Sequence, residues 1–173
     1  MSSKIIDNLV SSAKNGSAEA FGELYEIYSK DMFRFAYYYL GSYSLAEDCV
    51  SECVCLAFQK MGSLRKASAF KSWLFKILHN CCNNALREKI MSEGNVEYSS
   101  VSDVYREEEN ISEKLSLKEA LAQLSDEERE IVILHYAQGY TSKEIAEILD
   151  MNDSTVRSKI MRSGEKMRRF LQK

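Results

Sequence analysis

The residues best suited to chemistry lie near the C-terminus, in a pattern typical of a DNA-binding helix-turn-helix. A first helix is predicted after Thr141, then a turn at 150–152 and a second, basic helix. Val156 and Ile160, four residues apart, would pack the second helix against the first. Six polar or basic side chains remain, suited to contact base edges and phosphates in a major groove. They are Ser154, Thr155, Arg157, Ser158, Lys159 and Arg162.

Local signals support both helices and the turn between them. Thr141, followed three residues later by Glu144, forms a capping-box pattern, which predicts a helix start, and Ser125 followed by Glu128 predicts another. Asp150 occupies a turn position where glycine is common, and aspartate tolerates the left-handed conformation better than most residues. Asp153 or Ser154 is predicted to cap the second helix. The alternative interpretation is an ordinary helical hairpin with a solvated basic face.

Charge is distributed unevenly along the chain. The formal net charge is −3, which is unusual for a DNA-binding protein. Residues 60–90, however, carry seven basic and one acidic side chain, and residues 153–173 carry seven and two. Affinity for nucleic acid depends on the local charge that faces phosphate, so an acidic total does not exclude DNA binding. It predicts weak non-specific affinity and help from a partner.

The composition predicts a mostly helical protein. The chain has 173 residues, 45% of them hydrophobic, with no proline and only 7 glycines. Helical periodicity covers residues 1–90, with Ser44 as one predicted N-cap, and returns over 114–173. Residues 91–113 are acidic and serine-rich with few apolar anchors, which indicates a flexible acidic linker. We therefore predict an all-α fold of two small helical domains, the second containing the helix-turn-helix.

The sequence contains no catalytic or cofactor-binding pattern. His79 and His135 lie in different predicted domains with no nucleophile beside either, and no glycine-rich phosphate loop occurs. We expect a protein that is not an enzyme, with no cofactor and no small-molecule substrate. The chain also lacks an apolar run long enough to span a bilayer and a signal-peptide core at its start. We therefore expect a cytoplasmic protein without membrane insertion.

The cysteines are predicted to be reduced thiols, as is usual in the cytoplasm. They are Cys49, Cys53, Cys55, Cys81 and Cys82. No Cys-x-x-Cys pair occurs, and small buried cysteines are common in helical cores. We expect no metal site; a metal site that includes His79, or a thiol redox sensor, is the weaker alternative.

Several motifs, taken in order, resemble the bacterial sigma-70 family of RNA polymerase sigma factors, in its small extracytoplasmic-function (ECF) group. The resemblance covers nearly the whole chain. Its strongest pieces are Phe21-x-x-Leu24-Tyr25, Ala46-Glu47-Asp48, Trp73-Leu74 with Asn80 and Leu86-Arg87, Gly139-Tyr140-Thr141-x-x-Glu144-Ile145-Ala146, and Thr155-Val156-Arg157-Ser158. The sequence departs from the family pattern at Ser51-Glu52-Cys53, where glutamine is usual, and at Arg162-Ser163-Gly164, which is less basic than usual.

The resemblance implies a function for each predicted domain. Sigma factors bind core RNA polymerase, recognise two promoter elements and help to melt DNA. Residues 1–90 would be sigma domain 2, which binds the polymerase and the −10 element, and 114–173 would be domain 4, which binds the −35 element. The implied partners are the β′ and β subunits, promoter DNA and an anti-sigma factor.

The resemblance also assigns residues in domain 2. The helix over 46–58 would bind the polymerase coiled coil, and its acidic side chains Glu47, Asp48 and Glu52 would attract a basic partner. The basic segment 62–89 would bind the −10 element, because single-stranded DNA requires cations for its backbone and hydrogen-bonding groups for its bases. The residues concerned are Arg65, Lys66, Lys71, Lys76, Asn80, Asn84 and Arg87.

Two other classes of function remain open. A conventional helix-turn-helix regulator, which binds duplex DNA without being a polymerase subunit, explains 114–173 but not the basic segment 62–89. A helical interaction protein without a DNA role predicts no salt-dependent DNA binding.

Overall fold

The computed structural model describes residues 3–93 and 111–172, and these contain helices without strands. The N-terminal half consists of α1 (Ser3–Lys14), α2 (Ala18–Leu40), α3 (Tyr43–Lys60) and α4 (Phe70–Glu93), with short 3-10 turns before α4. The C-terminal half consists of α5 (Ile111–Ala122), α6 (Asp126–Val132), α7 (Ser142–Leu149) and α8 (Asp153–Leu171). The predicted all-α fold is confirmed. Most of the predicted linker, 94–110, lies outside the described residues.

Local signals determine where the N-terminal helices begin and end. The Ser17 hydroxyl accepts a hydrogen bond from the Ala20 amide at 3.1 Å and caps α2. Gly41, with φ of 70°, ends α2 in the left-handed conformation that glycine adopts without steric cost. The next helix is capped by Ser42, so the prediction of Ser44 as its cap was wrong. Since Gly41 reverses the chain at once, the first serine after it already has the extended backbone of an N-cap.

An aromatic core holds the N-terminal half together. Phe35 and Phe75 are fully buried and meet edge to face, with ring centroids 5.9 Å apart. Phe70 is also buried and packs beside Tyr28 at 5.7 Å. Such rings bury large apolar areas, so we expect this core to contribute strongly to the stability of α1–α4.

The C-terminal half has short helices that depend on caps. Ser125 and Glu128 form one capping box at the start of α6, and Thr141 and Glu144 form another at the start of α7. Both were predicted, and both are confirmed. Residues 133–137 continue α6 as a single π-helical stretch before the chain turns into α7.

The two halves pack against each other rather than standing apart. Helix α4 contacts α7, and α2 contacts α6 and the π-helical stretch. A single cluster of buried apolar residues includes members of both halves. Within the described residues, no helix combines the length and apolar character needed to cross a bilayer.

Candidate nucleic-acid interface

The helix-turn-helix has the predicted geometry. Asp150 adopts φ of 52° at the end of α7, and is the single non-glycine residue with positive φ among those the structure describes. Helix α8 is capped by Asn152, whose side-chain oxygen accepts from the Ser154 amide at 2.9 Å. The prediction of Asp153 or Ser154 as the cap was therefore wrong by one or two positions. Val156 is fully buried and fixes α8 against the rest of the domain.

Most of the predicted groove-facing residues of α8 are exposed. Exposed side chains include Ser154, Thr155, Arg157, Ser158 and Arg162. Arg157 pairs with Asp153 one turn earlier at 3.3 Å, an exposed contact of little energetic value that DNA phosphate can replace. Lys159 is different, because its ammonium group lies 2.7 Å from Glu127 of α6. Five of the six residues thus form one accessible face, and Lys159 points towards α6.

The basic segment before and within α4 divides into a free part and a covered part. Exposed members are Arg65, Lys66, Asn80, Asn84 and Arg87. Asn80, Asn84 and Arg87 follow one another at spacings of four and three residues, so they form a stripe along one face of the helix. Lys71 and Lys76, by contrast, are half-buried against the C-terminal half.

Lys76 is held by the turn of the helix-turn-helix. Its ammonium group lies 2.8 Å from the Asp150 carboxylate and donates to the Glu147 carbonyl at 3.4 Å. The Lys76 ammonium lowers the pKa of the Asp150 carboxyl. Since Asp150 is itself exposed, this pair is accessible to solvent and to salt.

Lys71, in the first turn of α4, is held by the segment before α7. Its ammonium group donates to the Gln138 carbonyl at 3.4 Å and lies 4.4 Å from the centre of the Tyr140 ring. The Tyr140 hydroxyl in turn donates to the Lys71 carbonyl at 3.4 Å, and its ring meets Phe75 edge to face. The side chain therefore combines a hydrogen bond with a cation–π contact.

A buried polar cluster lies between α4 and α6. His79 pairs through Nδ1 with the carboxylate of Glu130, which is only 3% exposed. Asn83 lies 3.0 Å from Nε2 of His79, and its side-chain oxygen accepts from the Tyr39 hydroxyl at 2.6 Å. Burial raises the pKa of Glu130, while His79 opposes this shift. Sequence reasoning missed this pair, because its members are 51 residues apart and carry no local signal.

Arg129 makes a second buried link between the halves. Its guanidinium, 5% exposed, donates to the carbonyls of Leu121, Leu124 and Tyr39 at 3.2–3.3 Å. It also pairs with Asp126 at 3.1 Å. The planar group thus satisfies carbonyls at the end of α5 and one near the end of α2.

Comparison with known proteins identifies both halves. Residues 24–89 match the family Sigma-70 region 2, and residues 114–167 match the family Sigma-70, region 4. The chain belongs to the sigma-70 family. The two matches together cover most of the chain, and their order agrees with the predicted domain order.

Relatives in the sigma-70 family are named as ECF sigma factors. The ECF RNA polymerase sigma factor SigW of Bacillus subtilis is 27% identical over 181 residues, covering 96% of this chain and 97% of that protein. The ECF RNA polymerase sigma factor BldN of Streptomyces coelicolor is 29% identical over 170 residues, covering 94% of this chain. The chain spans only 64% of the length of BldN.

Two solved structures share the fold, and one of them is of a sigma factor. The sigma factor RpoE of Bartonella quintana, in complex with the anti-sigma factor NepR, superposes with a TM-score of 0.78 at 24% identity. That match covers 90% of this chain and 98% of the solved chain. CnrH, in complex with the cytosolic domain of CnrY, gives a TM-score of 0.77 at 20% identity, covering 97% of each chain.

The sigma residues predicted to bind polymerase lie together on α3. Glu47, Asp48 and Glu52 are exposed, so their carboxylates are available to a basic partner. Phe58, farther along α3, is 45% exposed and packs edge to face on Phe21. An acidic face and an exposed aromatic ring thus occur on the same helix.

Four of the five cysteines are buried between α3 and α4. The Cys53 thiol donates to the Leu74 carbonyl at 3.8 Å, and Cys55 is exposed. The neighbouring Cys81 thiol and burial raise the pKa of Cys53, so its thiol stays protonated. No group of His, Cys, Asp and Glu among the described residues has a geometry that could hold a metal ion.

Proposed function

We propose that this sigma-70 family protein is a transcription initiation factor that binds core RNA polymerase and directs it to specific promoters. The observation that carries the proposal is the joint presence of sigma regions 2 and 4, in order, on a fold shared with solved sigma factors. Such a factor contributes binding and positioning rather than catalysis. We expect it to act in the cytoplasm, where polymerase and promoters are found.

In this proposal, α8 reads the −35 element as duplex DNA. The exposed face formed by Ser154, Thr155, Arg157 and Ser158 lies in the first two turns of the helix, the part that enters a major groove in helix-turn-helix proteins. Arg157 is the leading candidate for a base contact, since arginine can bind guanine with two hydrogen bonds. Arg162, farther along the helix, would contact phosphate.

The −10 element would be bound by α4 and the loop before it. The exposed stripe of Asn80, Asn84 and Arg87 offers amide hydrogen bonds and a cation, while Arg65 and Lys66 add charge in the loop. Lys71 and Lys76 belong to the same predicted set. Phe70 is buried, which favours a core role for this ring over base stacking.

Core polymerase would bind α3, where Glu47, Asp48 and Glu52 form an exposed acidic face. The β′ and β subunits are the expected partners. We also propose an anti-sigma factor as a regulator. Its support is the likeness in fold to a sigma factor solved with an anti-sigma factor.

A reconstituted transcription assay tests the proposal. The full chain is added to bacterial core RNA polymerase that lacks sigma factors, with a pool of genomic DNA fragments as template. We expect co-elution with the core enzyme and transcripts whose start sites share two spaced upstream motifs. Failure to bind the core enzyme, combined with salt-sensitive binding to duplex DNA, would instead favour a conventional helix-turn-helix regulator.

Variants then assign the two DNA elements. Arg157→Ala should lower promoter-directed transcription about tenfold, the effect of losing one good base contact, without changing core binding. Arg168→Ala is the matched control, because Arg168 is an exposed arginine farther along the same helix. Equal losses in both variants would show that α8 contributes only general positive charge.

A further inference from the structure

One carboxylate joins the two helices of the helix-turn-helix. Asp153, the first residue of α8, accepts a hydrogen bond from the Ser142 hydroxyl at 2.6 Å through Oδ1. Its other oxygen, Oδ2, lies 3.3 Å from a terminal guanidinium nitrogen of Arg157, one turn along α8. Ser142 is itself the first residue of α7. The two oxygens of Asp153 thus connect the start of α7 to the arginine that is proposed to contact a base.

The carboxylate is held more firmly than the arginine. The Asp153 side chain is 30% exposed, whereas that of Arg157 is 64% exposed. Ser142 directly follows Thr141, which begins the capping box of α7, so its position is fixed by the helix start. A short aspartate side chain that is held at one oxygen has little freedom. It therefore offers Arg157 an acceptor in a constant position.

The contact between Asp153 and Arg157 contributes little to stability, because both groups reach water. It does restrict Arg157, whose long side chain otherwise samples many rotamers and must be ordered when it binds a ligand. A guanidinium group has five N–H donors, so one contact with Asp153 leaves others for guanine N7 and O6. A phosphate that replaces the carboxylate must approach a second anion, which favours a base edge over the backbone as the DNA partner.

Arg162, the candidate for a phosphate contact, is oriented by a different group. Its Nε donates to the Ser158 carbonyl of the same helix at 3.3 Å. A backbone carbonyl carries no net charge, so this contact does not oppose a phosphate. The two arginines of α8 that are proposed to bind DNA therefore differ in the partner that orients them.

We infer that Asp153, anchored by Ser142, is a positioning residue that determines the base preference of α8 by holding Arg157 towards guanine. Asp153 itself contacts no base, and its effect passes through the arginine. Since Asn152 caps α8, the helix start does not occupy the Asp153 carboxylate. The inference rests on the proposed function in assigning α8 to duplex DNA.

The test measures the base preference of the full chain on duplex DNA. The probe is an array of short duplexes that together contain every sequence, used at low salt, so no promoter sequence has to be known. The measurement is made on the chain alone and, where core polymerase binds it, on the complex. Arg157→Ala locates the contacted position, where we expect wild type to prefer guanine about tenfold, the effect of one good base contact.

Asp153→Asn is the central variant. Asparagine keeps an oxygen that can accept from Ser142, but it has no charge to hold Arg157. We expect the guanine preference at the contacted position to fall from about tenfold to about threefold or less. Binding to other sequences should rise slightly, because a negative charge near the phosphates is lost. Glu165→Gln is the matched control, since it removes the same charge from an exposed residue of α8 and should keep the preference.

Two further measurements separate positioning from a structural role. Ser142→Ala should lower the same preference without any change of charge, and Ser142→Thr, which keeps the hydroxyl, should preserve it. In a protein that already carries Arg157→Ala, Asp153→Asn should lower the preference no further, because its effect passes through the arginine. A general disturbance of α8 would instead weaken the preference at every position and add to the effect of Arg157→Ala.

Four results would overturn the inference. They are a wild type without base preference, an unchanged guanine preference in Asp153→Asn, an equal loss in Glu165→Gln, and losses from Asp153→Asn and Arg157→Ala that add. Circular dichroism shows whether each variant is folded. If Asp153→Asn is not, the pair Ser142→Ala and Ser142→Thr provides the test, and equal preferences in these two proteins would contradict the anchor.

The transcription assay separates this inference from the proposed function. If the guanine preference depends on Asp153, but no form of the chain supports transcription by core polymerase, the positioning role stands and the proposed function fails. If the wild-type chain initiates transcription and Asp153→Asn keeps the full preference, the function stands and the positioning role fails.

Discussion

The two halves of this protein reach a helical fold by different means. Helices α2, α3 and α4 are 23, 18 and 24 residues long and close around a core that contains Phe35, Phe70 and Phe75. Helices α6 and α7 have only 7 and 8 residues, and each begins with a capping box. Short helices gain little from propagation, so their ends weigh more in their stability.

The halves also differ in what they bury. The aromatic core of the N-terminal half needs few polar partners. The C-terminal half buries Arg129 and Glu130 side by side, and both make contacts with the N-terminal half. We therefore expect the N-terminal half to respond chiefly to loss of apolar volume, and the C-terminal half to loss of caps and polar contacts.

The largest effect is expected for Phe35→Ala. Phe35 is fully buried, so the substitution leaves a cavity and should lower the free energy of unfolding by about 3–5 kcal/mol. Urea denaturation followed by circular dichroism measures this. Phe58→Ala, at a ring that is 45% exposed, is the control and should cost several times less. Equal costs would contradict the role of the aromatic core.

A smaller loss is expected for Arg129→Ala. It removes donors from three carbonyls, and we expect the free energy of unfolding to fall by about 2–3 kcal/mol. Hydrogen exchange should show faster exchange in α5 and α6 than in α3. The control is Arg157→Ala, since that side chain is 64% exposed and should have almost no effect on stability. A comparable loss of stability in the control would show that the buried contacts of Arg129 are not the cause of its larger effect.

The capping box of α7 should contribute less again. Thr141→Ala removes the acceptor for the Glu144 amide, with an expected cost of about 1 kcal/mol. Thr141→Ser retains the hydroxyl and should restore most of the stability. If alanine and serine behave alike in thermal unfolding, the hydroxyl has no capping role.

The smallest effect concerns pH. The folded pKa of Glu130 is raised above its ordinary value of 4.5, first by burial and with smaller contributions from Glu127 and Asp126, whereas His79 lowers it. The folded state therefore binds the proton more tightly. The contribution of this carboxyl to stability is greatest below pH 4.5 and falls as pH rises through the raised pKa.

Comparison of wild type with Glu130→Gln isolates that contribution. As the pH rises from 4.5 to 7, the wild type should lose stability relative to the variant. The pKa values of Glu128 and Asp150 are lowered, first by the Ser125 amide and by Lys76 respectively, so their contributions are lost as pH falls. Both groups are present in wild type and variant and should cancel in the difference. If the difference between the two proteins does not change with pH, the pKa of Glu130 is not raised in the folded state.

Local patterns in the sequence were sufficient for the helical fold and for the helix-turn-helix. The capping boxes at Ser125 and Thr141 and the left-handed Asp150 were all predicted from neighbouring residues, because the interactions that create them span four residues or fewer. Two other caps were placed wrongly, where several suitable polar residues stand together. Near the start of α8, Asp153 accepts from the Ser142 hydroxyl at 2.6 Å, and the capping role falls to Asn152.

The contact between the halves could not be predicted in this way. Its members are separated by 51 to 107 residues, and nothing in the local pattern around His79 or Gln138 indicates the partner. Exposure of the face formed by Ser154, Thr155 and Arg157 agrees with the helical period. The covering of Lys71 and Lys76 depends instead on tertiary packing, which periodicity does not contain.

The positions of Lys76 and Asp150 in the chain determine when this ion pair can form during protein synthesis. Lys76 leaves the ribosome 74 residues before its partner. At ordinary elongation rates of about 5–20 residues per second, about 4 to 15 s pass between the synthesis of Lys76 and that of Asp150. During that interval, Lys76 lacks its Asp150 partner, and nucleic acid near the ribosome can compete for its ammonium group.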